Sequence, residues 1–112
     1  MGSEDEEDTT QETEILMKEI KIFDKVGAFA ENKDVGRDLR VQEILPALKR
    51  GEEVVLDFEK VETATQSFVH ALISQALRQY KDTALDRIAF KSCNDTVKKM
   101  IGIVVDYMQD AI

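Results

Sequence analysis

Gly51-Glu52-Glu53-Val54-Val55-Leu56-Asp57-Phe58, followed after Glu59–Glu62 by Thr63-Ala64-Thr65-Gln66-Ser67-Phe68, is the stretch whose reading decides the fold. Val54, Val55, Leu56 and Phe58 form a β-prone run broken only by Asp57. A short, nearly continuous apolar run suits a strand covered on both faces, as in a parallel sheet. Glu59–Glu62 reads as a polar loop. Thr63 opens a helix, because Thr63 and Gln66 stand at the spacing of a capping box. Beyond it Phe68, Val69, Leu72, Ile73, Ala76, Leu77 and Tyr80 recur every three to four residues, which makes one apolar stripe. Strand, loop and helix start together put polar groups at the carboxyl end of a strand. Open α/β sheets present their working surface there.

Upstream, Ile20 and Ile22 alternate with Glu19 and Lys21, which predicts a half-buried strand within Ile15–Phe23. Asp24 and Lys25 would turn the chain, and Val26–Ala30 would return as the second strand of a hairpin, with Gly27 at a bulge. Glu31–Gly36 reads as a polar loop. Asp38 would cap a helix carrying Leu39, Ile44, Leu45 and Leu48, kinked or split near Glu43 by Pro46 and stopped by Gly51 after Lys49-Arg50. Downstream, Lys81–Asp86 reads as a linker and Arg87–Lys91 as a strand with Ile88 and Phe90 inward. Ser92 or Asn94 would cap a last helix with Val97, Met100, Ile101, Val104, Val105 and Met108 on its apolar side. Lys98, Lys99, Asp106 and Gln109 would face water. Gly102 costs that helix about 1 kcal/mol and suggests close packing by another element. The order β-β-α-β-α-β-α predicts one α/β domain over residues 15–112, a mixed four-stranded sheet with about three helices.

A chain of 112 residues can bury one core and not two. Its net charge of −8 is local: residues 1–14 hold seven acidic side chains and no basic one, and the remainder is close to neutral. Such a segment cannot repay the entropy of ordering and is expected to be a disordered acidic tail. It would serve as a solubilising tail or cloning remnant, or as a segment that docks on a basic partner. Nucleic-acid binding is disfavoured because phosphate contacts require a basic patch. No apolar run approaches the roughly 20 residues of a membrane span, and the amino terminus lacks a secretion pattern. Cys93 is the single cysteine, so no internal disulfide can form, and a cytoplasmic location is expected.

Catalytic patterns are sparse. There is no glycine-rich phosphate loop, no paired Cys or His at metal spacing and no Gly-x-Ser-x-Gly turn, so neither cofactor nor metal is expected. Ser67 and His70 could meet on one helix, but a hydrolase would need a group to orient the histidine and an oxyanion hole. Cys93 reads as a small buried apolar residue, and Asp57 as a carboxylate that satisfies loop N–H donors. Ser67 stands out differently. A phosphate at a helix start beside Thr63, Thr65 and Gln66 would meet free N–H groups and the positive end of the helix dipole. It would also add roughly −1.5 to −2 charges to that surface.

The run Val54–Phe68 resembles the central segment of STAS domains, the fold of anti-sigma-factor antagonists. It is more similar still to a STAS-like family whose pattern is a strand ending Leu-Asp-Phe, then a Val, then Ser-Phe at a helix start. Arg37–Leu45 looks like that family's preceding helix, and the likeness extends over residues 18–110. The resemblance implies a non-enzymatic regulatory module of a prokaryote, bound by a histidine-kinase-like ATPase or anti-sigma factor. It also implies a phosphoacceptor at Ser67, although Thr65, Gln66 and Phe68 stand where antagonists carry an aspartate and a glycine. The implied docking surface starts with Asp57, Glu59, Glu62 and Thr63 and runs through Thr65, Gln66 and Ser67. It continues along the exposed side of the helix at His70, Ser74 and Arg78. The alternative is a STAS-type module that binds a small molecule, nucleotide or lipid in an apolar pocket near the same loop, and the oligomeric state stays open.

Overall fold

The computed structural model describes residues 16–111, so the expected acidic tail over residues 1–14 lies outside the described residues. Three parallel strands form the main sheet: β1 (Met17–Lys21), β3 (Glu53–Asp57) and β5 (Ile88–Lys91), in the order β1-β3-β5. Ile20 lies opposite Leu56, and Leu56 opposite Phe90. A second sheet pairs β2 (Phe29–Ala30) with β4 (Thr63–Ala64), again in parallel. The expected mixed four-stranded sheet is therefore replaced by two small sheets, and every pairing in them is parallel.

The hairpin is the first correction. Ile22–Val26 is a short helix, α1, and Gly27 closes it at φ 77° with its N–H on the Phe23 carbonyl, 2.8 Å away. Ile22 and Val26 are four apart, so a helical turn carries both inward, Ile22 fully buried and Val26 partly. β1 can then pair with β3, a parallel partner that only a crossover connection can reach.

The following helix starts earlier than expected. Asn32, not Asp38, is its N-cap, accepting from the Asp34 N–H at 2.9 Å and the Val35 N–H at 3.3 Å. Helix α2 (Lys33–Leu39) runs into a π-helical turn (Arg40–Ile44) and then α3 (Leu45–Lys49). The Leu45 N–H reaches back five residues to the Arg40 carbonyl, immediately before Pro46, which has no N–H to offer. At the far end the Gly51 N–H bonds the Leu48 carbonyl at 3.0 Å and the Glu52 N–H bonds the Ala47 carbonyl at 2.9 Å. With Gly51 at φ 87°, this is a Schellman stop.

Helix α4 (Gln66–Tyr80) starts two residues later than a cap at Thr63 would place it. Thr63 and Ala64 are held in β4, and the Thr65 N–H extends that pairing to the Ala30 carbonyl at 3.0 Å. Thr65 becomes the cap, its hydroxyl accepting from the Phe68 N–H at 3.1 Å. The expected linker is a helix too, α5 (Asp82–Arg87), which follows a left-handed Lys81 at φ 53° and buries Ala84. Arg87 therefore ends a helix instead of beginning a strand. Its guanidinium donates to the Leu48 carbonyl and, at 3.0 Å, to the Glu52 carbonyl. Helix α6 (Asp95–Ala111) is capped by Asn94, whose amide oxygen accepts from the Val97 N–H at 2.8 Å. Gly102 has no atom near enough to meet a Cβ, so no element packs closely on it.

The core lies between one face of the main sheet and the helices. Val54, Leu56 and Phe58 are fully buried, as are Phe68, Val69 and Leu72 of α4 and Val97 and Val104 of α6. The sheet is covered on one face and not on both: Met17, Glu19, Lys21, Ala89 and Lys91 are exposed on the other, where the Lys91 ammonium meets Glu19 at 3.3 Å. None of the described helices is long and apolar enough to cross a membrane.

Candidate functional site

The segment after the central strand is pinned at both ends before it reaches α4. Phe58 and Val61 are buried, and the Asp57 carboxylate, itself buried, accepts from the Glu59 N–H at 2.9 Å. From the other side the Asn94 amide donates to the Glu62 carbonyl at 3.0 Å and the Val61 carbonyl at 3.4 Å. One side chain thus caps α6 and holds the loop that feeds α4. Asp57 fastens this loop from within and is 5% exposed. Glu59, Glu62, Thr63, Thr65, Gln66 and Ser67 are all exposed. Ser67 is the second residue of α4, inside the first turn, where helix N–H groups have no intrahelical acceptor.

From that turn a groove of about 550 Å³ opens between α2 and α4. The two helices lie against each other at Gly36, where a Cβ would come within 3.0 Å of the Phe68 carbonyl oxygen and 3.3 Å of the Ala71 Cβ. Gln66, Ser67, His70, Ser74 and Arg78 line the groove from α4, and Lys33, Asp34, Arg37 and Arg40 line it from the other side. Half of the expected docking residues are therefore gathered on one concavity. Ser74 differs from expectation because it is only 2% exposed, turned toward α2 and reached by the Arg78 guanidinium at 3.4 Å. His70 is half-buried. No hydrogen bond joins Ser67 to His70, or His70 to an acid, among the described residues.

The remaining expected residues lie apart. Asp57 and Glu59 share a small cleft of about 120 Å³ with Lys21, Phe23 and Lys60, whose ammonium sits 5.7 Å from the Phe23 ring centre. Glu62, Thr63 and Thr65 line neither hollow. Cys93, expected buried, is half-buried at the end of β5. Burial pushes its thiol above the usual range, and nearby Lys98 offsets this only in part. No group of three or more His, Cys, Asp or Glu side chains gathers at metal-binding range among the described residues.

Sequence reasoning missed the α2 side of the groove. Lys33, Arg37 and Arg40 recur at i, i+4 and i+7, a cationic stripe that was visible in principle. Assigning Glu31–Gly36 to a loop hid it, because without a helix through Lys33 the three residues share no face.

A family model described as a STAS-like domain of unknown function (DUF4325) matches residues 36–98, more than half of the chain. The chain belongs to this family. The matched span of the STAS-like domain runs from Gly36 through the π-helical turn, β3 and α4 to the first turn of α6. It contains every groove residue except Lys33 and Asp34. No curated protein and no solved structure matches the chain.

Proposed function

We propose that this STAS-like domain is a non-enzymatic regulatory module that docks a histidine-kinase-like ATPase, or an anti-sigma factor of that type. The docking surface is the exposed Glu59–Ser67 segment together with the first turns of α4. The observation that carries the reading is the position of Ser67: exposed, in the first turn of a helix fed by the inner strand, at the mouth of a groove. That groove carries four cationic side chains against the single carboxylate of Asp34, so an acidic surface on the partner complements it. A phosphate on Ser67 would bring roughly −1.5 to −2 charges to this edge and cancel much of the attraction. Modification therefore releases the partner.

The test is calorimetric titration of a histidine-kinase-like ATPase from the same cell with the wild type, Ser67→Ala and Ser67→Asp. Wild type and Ser67→Ala bind alike, and Ser67→Asp binds at least tenfold more weakly, a loss of about 1.4 kcal/mol. Undiminished binding by Ser67→Asp would refute the switch. If no such ATPase binds the wild type, the docking reading falls as well.

A further inference from the structure

The groove between α2 and α4 stands apart in charge. Beyond residues 1–14 the acidic and basic side chains nearly balance, yet Lys33, Arg37, Arg40 and Arg78 converge on one hollow. Arg37 has its countercharges, Asp34 at 3.6 Å and Asp38 at 3.5 Å. Lys33, Arg40 and Arg78 have no carboxylate at ion-pair distance among the described residues. Arg40 is anchored on one side by the chain itself. One of its terminal nitrogens donates to the Ala71 carbonyl at 3.3 Å, while its Nε is buried with no partner. A buried donor left unmade costs about 1–3 kcal/mol, more when it is charged. Mutual repulsion of cations across a gap adds to that cost. The α4 amino terminus opens at the same groove and brings the positive end of a 15-residue helix.

We propose that this groove binds a small, multiply phosphorylated molecule. One phosphate sits between Lys33 and the α4 amino terminus at Gln66 and Ser67, and another between Arg40 and Arg78. Lys33 and Arg40 are seven residues apart on one helical run, a rise of roughly 10 Å, so the ligand carries its anionic groups at two separated points. The volume of about 550 Å³ suits a metabolite-sized occupant. Ser67, His70 and Ser74 between the charged ends supply polar contacts for its middle. No Phe, Tyr or Trp lines the groove, and His70 offers the single ring there on which a nucleobase could stack. The chemistry favours a polyol or sugar bisphosphate, or a short phosphate chain, over a nucleotide. This binding needs no protein partner and stands apart from the docking reading.

The experiment titrates the full chain with inorganic phosphate, pyrophosphate and tripolyphosphate at 0.1 M salt, followed by calorimetry and by amide NMR shifts. Tripolyphosphate is expected to bind at least tenfold more tightly than inorganic phosphate and to shift the Gln66 and Ser67 amides. Arg78→Gln, at an exposed position, weakens it at least fivefold, as does Arg40→Gln. Lys99→Gln, on the exposed side of α6, leaves it unchanged. Two results overturn the proposal: binding that Arg78→Gln and Lys99→Gln weaken equally, or no tripolyphosphate binding. In the second case, capture of a synthetic peptide of residues 1–14 would give the groove to an acidic peptide. Either failure leaves the ATPase titrations untouched.

Discussion

Replacing Gly36 with alanine tests the contact on which the groove is built. The new methyl would lie 3.0 Å from the Phe68 carbonyl oxygen, 3.3 Å from the Ala71 Cβ and 3.4 Å from the Phe68 ring. The contacts to the Phe68 oxygen and the Ala71 Cβ are tighter than ordinary van der Waals separation, and the ring contact is at its inner limit. None of the three can yield easily: Phe68 is fully buried, and its carbonyl belongs to the α4 backbone. Helix α2 must back away, and overpacking of this kind costs about 1–3 kcal/mol. Alanine's better helix propensity returns about 0.5–1 kcal/mol. The net expectation is a loss of roughly 0–2.5 kcal/mol, centred near 1 kcal/mol, or several degrees in Tm for a domain of this size. Gly102→Ala supplies the control. It is exposed, sits within α6 and has nothing within 4 Å of the added Cβ, so only the propensity gain operates. Urea denaturation followed by far-UV circular dichroism should move the two midpoints in opposite directions with unchanged m-values. If Gly36→Ala stabilises as much as Gly102→Ala, α2 and α4 do not touch as described.

Two further outcomes are expected. Asn94→Ala removes the α6 cap, worth about 0.5–2 kcal/mol, and frees the Val61 and Glu62 carbonyls. Hydrogen exchange should therefore quicken at Val61–Thr65 as well as in the first turn of α6, whereas loss of a cap alone would leave the loop protected. Because burial raises the Cys93 thiol, less of it is thiolate at pH 8 than in an unstructured peptide. Iodoacetamide should modify it several-fold more slowly than such a peptide, and the gap should close in urea. An equal rate in the folded protein would contradict the burial.

The parts of the fold legible in the sequence are those where one periodicity runs long enough to exclude its rivals. The α4 stripe from Phe68 to Leu77 and the α6 stripe from Val97 to Met108 are such cases, the first buried throughout and the second buried except at Met100 and Val105, which are partly covered. The inner strand Glu53–Asp57 was legible for a related reason, a short apolar run ended by a polar loop. Reading failed where partners distant in sequence decide the outcome. Ile20 and Ile22 satisfy a strand pattern, but Ile22 and Val26 satisfy a helical one, and only the pairing of β1 with β3 separates them. Thr63 and Thr65 are both acceptable caps, and β4 settles the choice by taking Thr63. The exposed Ser67 could be placed from its distance after the inner strand. The cationic wall opposite could not, because it depends on Asn32 starting α2 early.

The Arg87 guanidinium has a consequence for how the chain is completed at the ribosome. It closes the last turn of α3 at Leu48 and holds Glu52 at the entry to β3, though it lies 39 and 35 residues further along. Synthesis runs from the amino terminus, so until α5 has left the exit tunnel the Glu52 carbonyl must wait, hydrated, and the Leu48 carbonyl has only its local bond from the Gly51 N–H. The first half of the molecule therefore becomes native only when the second half arrives, and a nascent chain stalled before Arg87 should remain open to proteases at Leu48–Glu53.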